Sequence, residues 1–143
     1  MIWAEFIDGY KSYLKLEKSL SGNTMEAYLK DIRKFTDFIV SQGFKGLPEQ
    51  VTQANIRGFI DFINEAGMSA SSQARALSGI KSFFKYLLIQ DEIDRDPSSL
   101  IETPKIGRKL PVVLNPVEID NLIKAIDLDS ETGYRNRAIL EML

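Results

Sequence analysis

Basic and hydroxyl side chains are gathered in residues 69–90, "SASSQARALSGIKSFFKYLLIQ", which contain Arg75, Lys81 and Lys85 but no acidic residue. The whole chain carries 20 acidic and 18 basic residues, so an acid-free segment of this length needs an explanation. On a helix that turns about 100° per residue, Arg75, Ser78 and Lys85 share one side, and Lys81 lies at its edge. Such groups donate hydrogen bonds to phosphate oxygens and base edges, and the major groove of DNA admits one helix. The pattern indicates a DNA-binding face, and the alternative is an ordinary solvated face that lacks acids.

A second group of charges lies between residues 23 and 42, where basic and acidic side chains alternate. The basic members are Lys30, Arg33 and Lys34, and the acidic members that interleave with them are Glu26, Asp31 and Asp37. Mixed signs at helical spacing are typical of a salt-bridged outer surface. This segment is therefore weaker evidence of anion binding than residues 69–90.

Few side chains are suited to catalysis or to metal binding. The sequence contains no histidine and no cysteine, which removes the commonest general base and the thiolate metal ligands. Three of the tyrosines, Tyr10, Tyr13 and Tyr28, fall on apolar helix faces and are predicted to pack in the core. The acidic run "QDEIDRDP" lacks the glycine and terminal glutamate of a calcium loop. The sequence therefore predicts no catalytic set, no metal site and no cofactor.

Length and composition are typical of a globular protein. The 143 residues are 44% hydrophobic, which is enough for a core. No apolar run approaches the ~18 residues that cross a bilayer. Glu5 and Asp8 stand where a signal peptide would be basic. We expect a cytoplasmic protein with no membrane segment.

Apolar residues recur at intervals of three and four along most of the chain, which predicts an all-α fold. Four helices are expected over residues 2–19, 23–42, 52–67 and 69–90. Asn23 is the predicted cap of the second helix, Thr52 of the third, and Ser69 or Ser71 of the fourth. The buried face of the fourth helix is predicted to consist of Ala76, Leu77, Ile80, Phe83, Phe84 and Leu87.

A proline-rich segment separates this four-helix region from the rest of the chain. Pro97, Pro104 and Pro111 lie within residues 96–112, which are predicted to form a linker because proline disfavours a helix before it. Beyond it, Asn115 and Glu118 predict a capping box. A last apolar stretch, "YRNRAILEML", stops without a cap at the end of the sequence, so we expect a truncated chain.

Three segments resemble the tyrosine recombinases, in particular the Xer-type and phage integrase branch. "LSGNTMEAYLKDIRKFTDFI" is similar to the second helix of the family's core-binding domain, and "SSQARALSGIKSFFKYLLIQDEIDRDP" to its fourth helix and exit. "TPKIGRKLPVVLNPVEIDNLI" is similar to the linker into the catalytic domain. The resemblance implies a four-helix, SAM-like core-binding domain over residues 1–95, a linker over 96–112 and the first helices of a catalytic domain over 113–143. One departure is Asp96, where the family commonly has Asn.

By this resemblance the second and fourth helices face the major groove, and the chain clamps one arm of a recombination site for strand exchange. The DNA contacts that it implies are Asn23, Thr24, Lys30, Arg33, Arg75, Ser78, Lys81 and Lys85. The implied partners are double-stranded DNA and other recombinase protomers. The family's tyrosine nucleophile and its arginines have no counterpart in this chain, so the parent protein, not this chain, is expected to break and rejoin DNA. The alternatives are a helical protein-interaction module and a small helix-turn-helix regulator.

Overall fold

The computed structural model describes residues 3–105, 107 and 110–143, and over this part of the chain it contains helices and no strands. The α-helices are α1 (Trp3–Leu16), α2 (Gly22–Ser41), α3 (Gln53–Glu65), α4 (Ala70–Ile89), α5 (Pro116–Lys124) and α6 (Gly133–Met142). A short 3-10 helix, Pro48–Gln50, precedes α3. The predicted all-α fold is confirmed. Among the described residues, none of the helices has both the length and the apolar character that a bilayer crossing requires.

The chain divides into two compact units, Met1–Ile106 and Gly107–Leu143. The first contains α1 to α4, and the second contains α5 and α6. The division at residues 95 and 112 stays a prediction. Ser98 and Ile101, at the start of the predicted linker, are nevertheless buried in the structure, and Ile101 belongs to the hydrophobic core of the first unit.

Helix α4 lies at the centre of the first unit because its apolar face is continuous and broad. All six residues predicted for that face are buried. Aromatic rings connect this face to the neighbouring helices. The ring centroid of Phe84 lies 6.3 Å from that of Phe35 of α2, and the ring centroid of Phe83 lies 5.3 Å from that of Tyr10 of α1, and both pairs are edge to face. Such edge-to-face pairs add to the stabilisation that comes from apolar burial. The predicted core of α4 is therefore confirmed.

The ends of the helices agree with the predicted caps at α3 and α4. Thr52 accepts a hydrogen bond from the Asn55 backbone N–H, and Ser69 accepts one from that of Ser72. Gly67 follows α3 with a φ of +82°, in the left-handed region that glycine adopts most readily. Helix α1 ends at Leu16 and not at the expected residue 19.

The predicted cap of α2 is wrong. The helix begins at Gly22, and Ser21 is the cap, because its hydroxyl oxygen accepts a hydrogen bond from the Thr24 backbone N–H at 3.3 Å. With Ser21 as cap, Leu20 and Met25 occupy the two positions whose apolar side chains commonly pair across a helix start. Both side chains pack against the core. A cap at Asn23 would place Gly22 at the first of these positions and leave it without an apolar side chain.

In the second unit, specific residues determine where α5 and α6 begin. The predicted capping box of α5 is confirmed: the Asn115 N–H donates to Glu118 Oε2, and the Glu118 N–H donates to Asn115 Oδ1, both at 2.8 Å. Gly133 begins α6 and is buried, and a side chain at this position would collide with the Asp127 carbonyl oxygen. Apolar side chains of both helices are exposed in the structure, among them Val117 and Met142.

Candidate nucleic-acid interface

The candidate interface is built on the contact between α2 and α4. Gly79 of α4 is buried, and a Cβ atom there would lie 3.4 Å from Cδ1 and 3.6 Å from Cα of Tyr28. The missing side chain lets the backbones of the two helices approach closely. The Tyr10 hydroxyl donates a hydrogen bond of 3.4 Å to the Gly79 carbonyl, which ties α1 to the same point. Burial raises the pKa of Tyr10 above its ordinary value of 10.0, so this hydroxyl keeps its proton at a pH where an exposed tyrosine would lose it.

Arg75 makes a two-point contact across this helix pair. Its Nε donates to Asp31 Oδ2 at 3.0 Å, and its Nη2 donates to Asp31 Oδ1 at 3.3 Å. The Asp31 side chain is only 1% exposed, whereas the Arg75 side chain is 45% exposed. The hydrogen bond that Arg75 donates to Asp31 raises the pKa of Arg75, because it stabilises the charged guanidinium. The expectation that Asp31 belongs to an outer, interleaved charge pattern is therefore wrong, since the carboxylate faces α4.

A spacing signal for Asp31 was present in the sequence. Asp31 lies three residues after Tyr28 and four before Phe35, and this spacing places it beside the apolar face of α2. A carboxylate at the edge of a buried face requires a cationic partner. The partner itself lies 44 residues away, and only the packing of α2 on α4 brings the two together.

The predicted residues of α4 lie on one side of the helix. Ser78 and Lys85 are exposed and Lys81 is half-buried. Ser78 and Lys85 are three and ten residues after Arg75, so they fall within roughly 80° of it around the helix. Among the described residues, the ion pairs are Arg75–Asp31 and Arg137–Glu141. The ammonium groups of Lys81 and Lys85 thus form no ion pair within the described part of the chain.

The predicted residues of α2 do not form a single cluster. Asn23 and Lys30 are exposed and, being seven residues apart, lie on the same side of the helix. Thr24 is half-buried, and its hydroxyl is 2.9 Å from that of Ser21, so it takes part in the helix start. Arg33 lies roughly 160° around the helix from Asp31.

Arg33 is therefore not brought close to Arg75. It lines a shallow depression together with Ala4, Ile7 and Asp8 of α1, on the other side of α2. The structure thus groups the α4 residues and keeps Asn23 and Lys30 on one side of α2. Arg33 is roughly 60° from Lys30 around the helix, but it points farther from α4 than Asn23 and Lys30 do. All eight residues stay predictions as DNA contacts.

The described residues include no group of three or more acidic side chains placed to hold a metal ion. Oxygen ligands for Mg²⁺ or Ca²⁺ come mainly from such carboxylates. The exposed face of α4 instead carries basic and hydroxyl side chains, which suit an anionic partner.

Comparison with known proteins agrees with this architecture. A model of the phage integrase N-terminal SAM-like domain matches residues 7–91, which include most of α1 and all of α2, α3 and α4. The chain is 38% identical to the tyrosine recombinase XerD of Staphylococcus saprophyticus over 137 residues, which are 96% of this chain and 46% of the relative. It is 35% identical to XerD of Listeria monocytogenes, over 97% of this chain and 47% of the relative.

The chain is also 36% identical to the tyrosine recombinase XerD of Shewanella oneidensis, over 96% of this chain and 45% of the relative. The chain spans about half the length of the curated relatives it matches. The family model covers more than half of the chain, and it covers the helices that carry the candidate interface. The chain therefore belongs to the phage integrase N-terminal SAM-like domain family.

Proposed function

We propose that this chain is the DNA-binding portion of a site-specific tyrosine recombinase or integrase and that it clamps one arm of a recombination site. The observation that carries the proposal is the face of α4 on which Arg75, Ser78 and Lys85 lie, because no residue of that helix is acidic. Phosphates repel carboxylates, and basic and hydroxyl groups supply most of the contacts that proteins make to DNA backbones. Family membership supports the same assignment.

In this proposal α4 enters the major groove, and Arg75, Ser78, Lys81 and Lys85 contact phosphates or base edges. Asn23, Thr24 and Lys30 contact the DNA from the first half of α2. Arg33, roughly 60° around α2 from Lys30, contacts a phosphate at a distance from the α4 residues, since it lies toward α1. The partners are double-stranded DNA and other recombinase protomers, and the compartment is the cytoplasm.

We assign the breaking and rejoining of DNA to the portion of the longer relatives that this chain does not span. A tyrosine nucleophile needs cations around the phosphate and a group that takes its proton. Tyr134 is exposed, and Arg135 and Arg137 lie in the first turns of α6, where Arg137 pairs with Glu141. We therefore propose that this chain alone binds DNA and does not cleave it.

The salt dependence of DNA binding tests the proposal. The 143-residue chain would be titrated into a fluorescently labelled duplex that the protein itself has selected from a randomised pool, at several salt concentrations. Each phosphate contact that is lost lowers the slope of log affinity against log salt by about one. We expect this reduction for Lys81→Ala and for Lys85→Ala.

The matched control is Lys11→Ala, which removes an exposed lysine from α1. Its slope is expected to equal that of the wild type. Slopes for Lys81→Ala and Lys85→Ala that match the control would contradict the assignment of α4 to DNA. Absence of salt-dependent binding in the wild type would favour a protein-interaction module.

A further inference from the structure

Asp31 is the charged side chain that the first unit buries most deeply among its described residues. Burying a carboxylate is costly, and replacing a buried ion pair with apolar residues of similar volume is often neutral or stabilising. Stability alone therefore does not account for an acid at this position. Its contact with Arg75, a residue of the candidate DNA face, points to a role in orienting that side chain.

The geometry of the contact leaves a defined part of the guanidinium available. Asp31 takes one hydrogen from Nε and one from Nη2. A guanidinium has five N–H donors in one plane, so two hydrogens on Nη1 and one on Nη2 remain. These form an edge with two parallel donors, which matches two adjacent acceptors such as two phosphate oxygens or O6 and N7 of guanine.

Two hydrogen bonds to one carboxylate also fix the plane of the guanidinium. A single hydrogen bond would let the group rotate about it, whereas the two-point contact to Asp31 defines the direction of the remaining edge. The Arg75 side chain is 45% exposed, so a partner from outside the chain can reach it.

We infer that Asp31 is a positioning residue for DNA recognition, which holds Arg75 so that its free edge meets a pair of acceptor atoms on the DNA. This inference rests on the proposed function. It assigns to Asp31 a favourable effect on DNA binding, although its own charge is repelled by phosphates. That opposition separates it from a simple electrostatic effect, which would make loss of the carboxylate tighten binding.

The test compares four variants of the whole chain: Asp31→Asn, Arg75→Ala, the double variant, and Asp37→Asn as the control. Asp37 is an exposed acid on the same helix, so the control removes the same charge without touching Arg75. Affinities are measured for the selected duplex and for a duplex of scrambled sequence. Fluorescence of Trp3, the single tryptophan, identifies the temperature range in which every variant is folded.

We expect Asp31→Asn to bind the selected duplex about tenfold more weakly than Asp37→Asn, the size of one lost two-point contact. The double variant is expected to bind no more weakly than Arg75→Ala, since Asp31 acts through Arg75. A loss confined to the selected duplex would identify a base edge as the acceptor, and an equal loss on both duplexes would identify a phosphate.

The inference is overturned if Asp31→Asn binds as tightly as Asp37→Asn on both duplexes, or if its effect persists without Arg75. In either case, salt-dependent binding by the wild type leaves the proposed function standing. Failure of the wild type to bind either duplex overturns both. If Asp31→Asn is not folded at the assay temperature, Arg75→Lys replaces it, because lysine keeps the charge but cannot make the two-point contact. An affinity of Arg75→Lys equal to that of the wild type would then contradict the inference.

Discussion

Replacing Arg75 by alanine is expected to destabilise the first unit, because it leaves the Asp31 carboxylate buried without its cation. Removing one partner of a buried ion pair costs about 3–5 kcal/mol. The Arg75 side chain is 45% exposed, so water enters part of the space that it vacates and solvates the carboxylate. Discounting the cost by about half for this solvation gives a loss of about 2 kcal/mol in the free energy of unfolding.

Tryptophan fluorescence during urea unfolding measures this loss in the relevant unit. Trp3 is buried, and its ring centroid lies 6.3 Å from that of Phe83 and 6.4 Å from that of Phe44. The emission of Trp3 therefore reports on the packing of α1 against α4. For a domain of this size, a loss of about 2 kcal/mol lowers the melting temperature by roughly 8–16 °C.

Two comparisons separate the ion pair from other effects of truncation. Lys85→Ala removes an exposed cation from the same helix and is expected to change the free energy of unfolding by less than about 0.5 kcal/mol. Asp31→Asn in the Arg75→Ala background removes the stranded charge and is expected to recover about half of the loss. A change below about 0.5 kcal/mol for Arg75→Ala itself would show that the buried Asp31 carboxylate does not depend on its partner.

Three further outcomes follow from the core, from a buried hydroxyl and from the segment between the units. Phe84→Ala removes a fully buried ring and is expected to cost about 3–5 kcal/mol in urea unfolding; a cost below about 1 kcal/mol would contradict the packing of α4. Burial raises the pKa of Tyr10 above its ordinary value of 10.0, so the contribution of the protonated hydroxyl to stability is complete below about pH 10 and is lost at higher pH. Tyr10→Phe should therefore flatten the fall in melting temperature at alkaline pH, and an unchanged fall would show that Tyr10 is not its cause. Trypsin is expected to cut early after the exposed Lys105 and to leave the four-helix part intact, as mass spectrometry would show; equally rapid cleavage after Lys30 or Lys85 would contradict the division into units.

The core was predictable because it depends on local periodicity. The spacing of Leu77, Ile80 and Phe84 fixes which side of α4 is buried, whatever the helix packs against. The capping box of α5 is likewise written in four consecutive residues. In each case the information lies within about one or two turns of a helix.

What the sequence could not supply depends on how separate segments meet. Ser21 and Asn23 are both good caps, and the choice between them is set by the packing of Leu20 and Met25 on the core. The partner of Asp31 is determined by the position at which α4 crosses α2, which no local pattern encodes. The same crossing separates Arg33 from the α4 face, although both belong to the residues predicted to contact DNA.

The contact of α4 with DNA can be measured directly, because the chain contains no cysteine and a single introduced thiol is therefore a unique attachment point. Ser78→Cys would carry an iron–EDTA reagent on the exposed side of α4, and Ser12→Cys would carry it on α1 as the control. Both proteins would be bound to the selected duplex, and strand cleavage by the reagent would be mapped on a denaturing gel. We expect strong cleavage from position 78, confined to the bases flanking one major groove, and weaker cleavage from position 12. Equal or stronger cleavage from position 12 would contradict the claim that this helix lies against the DNA.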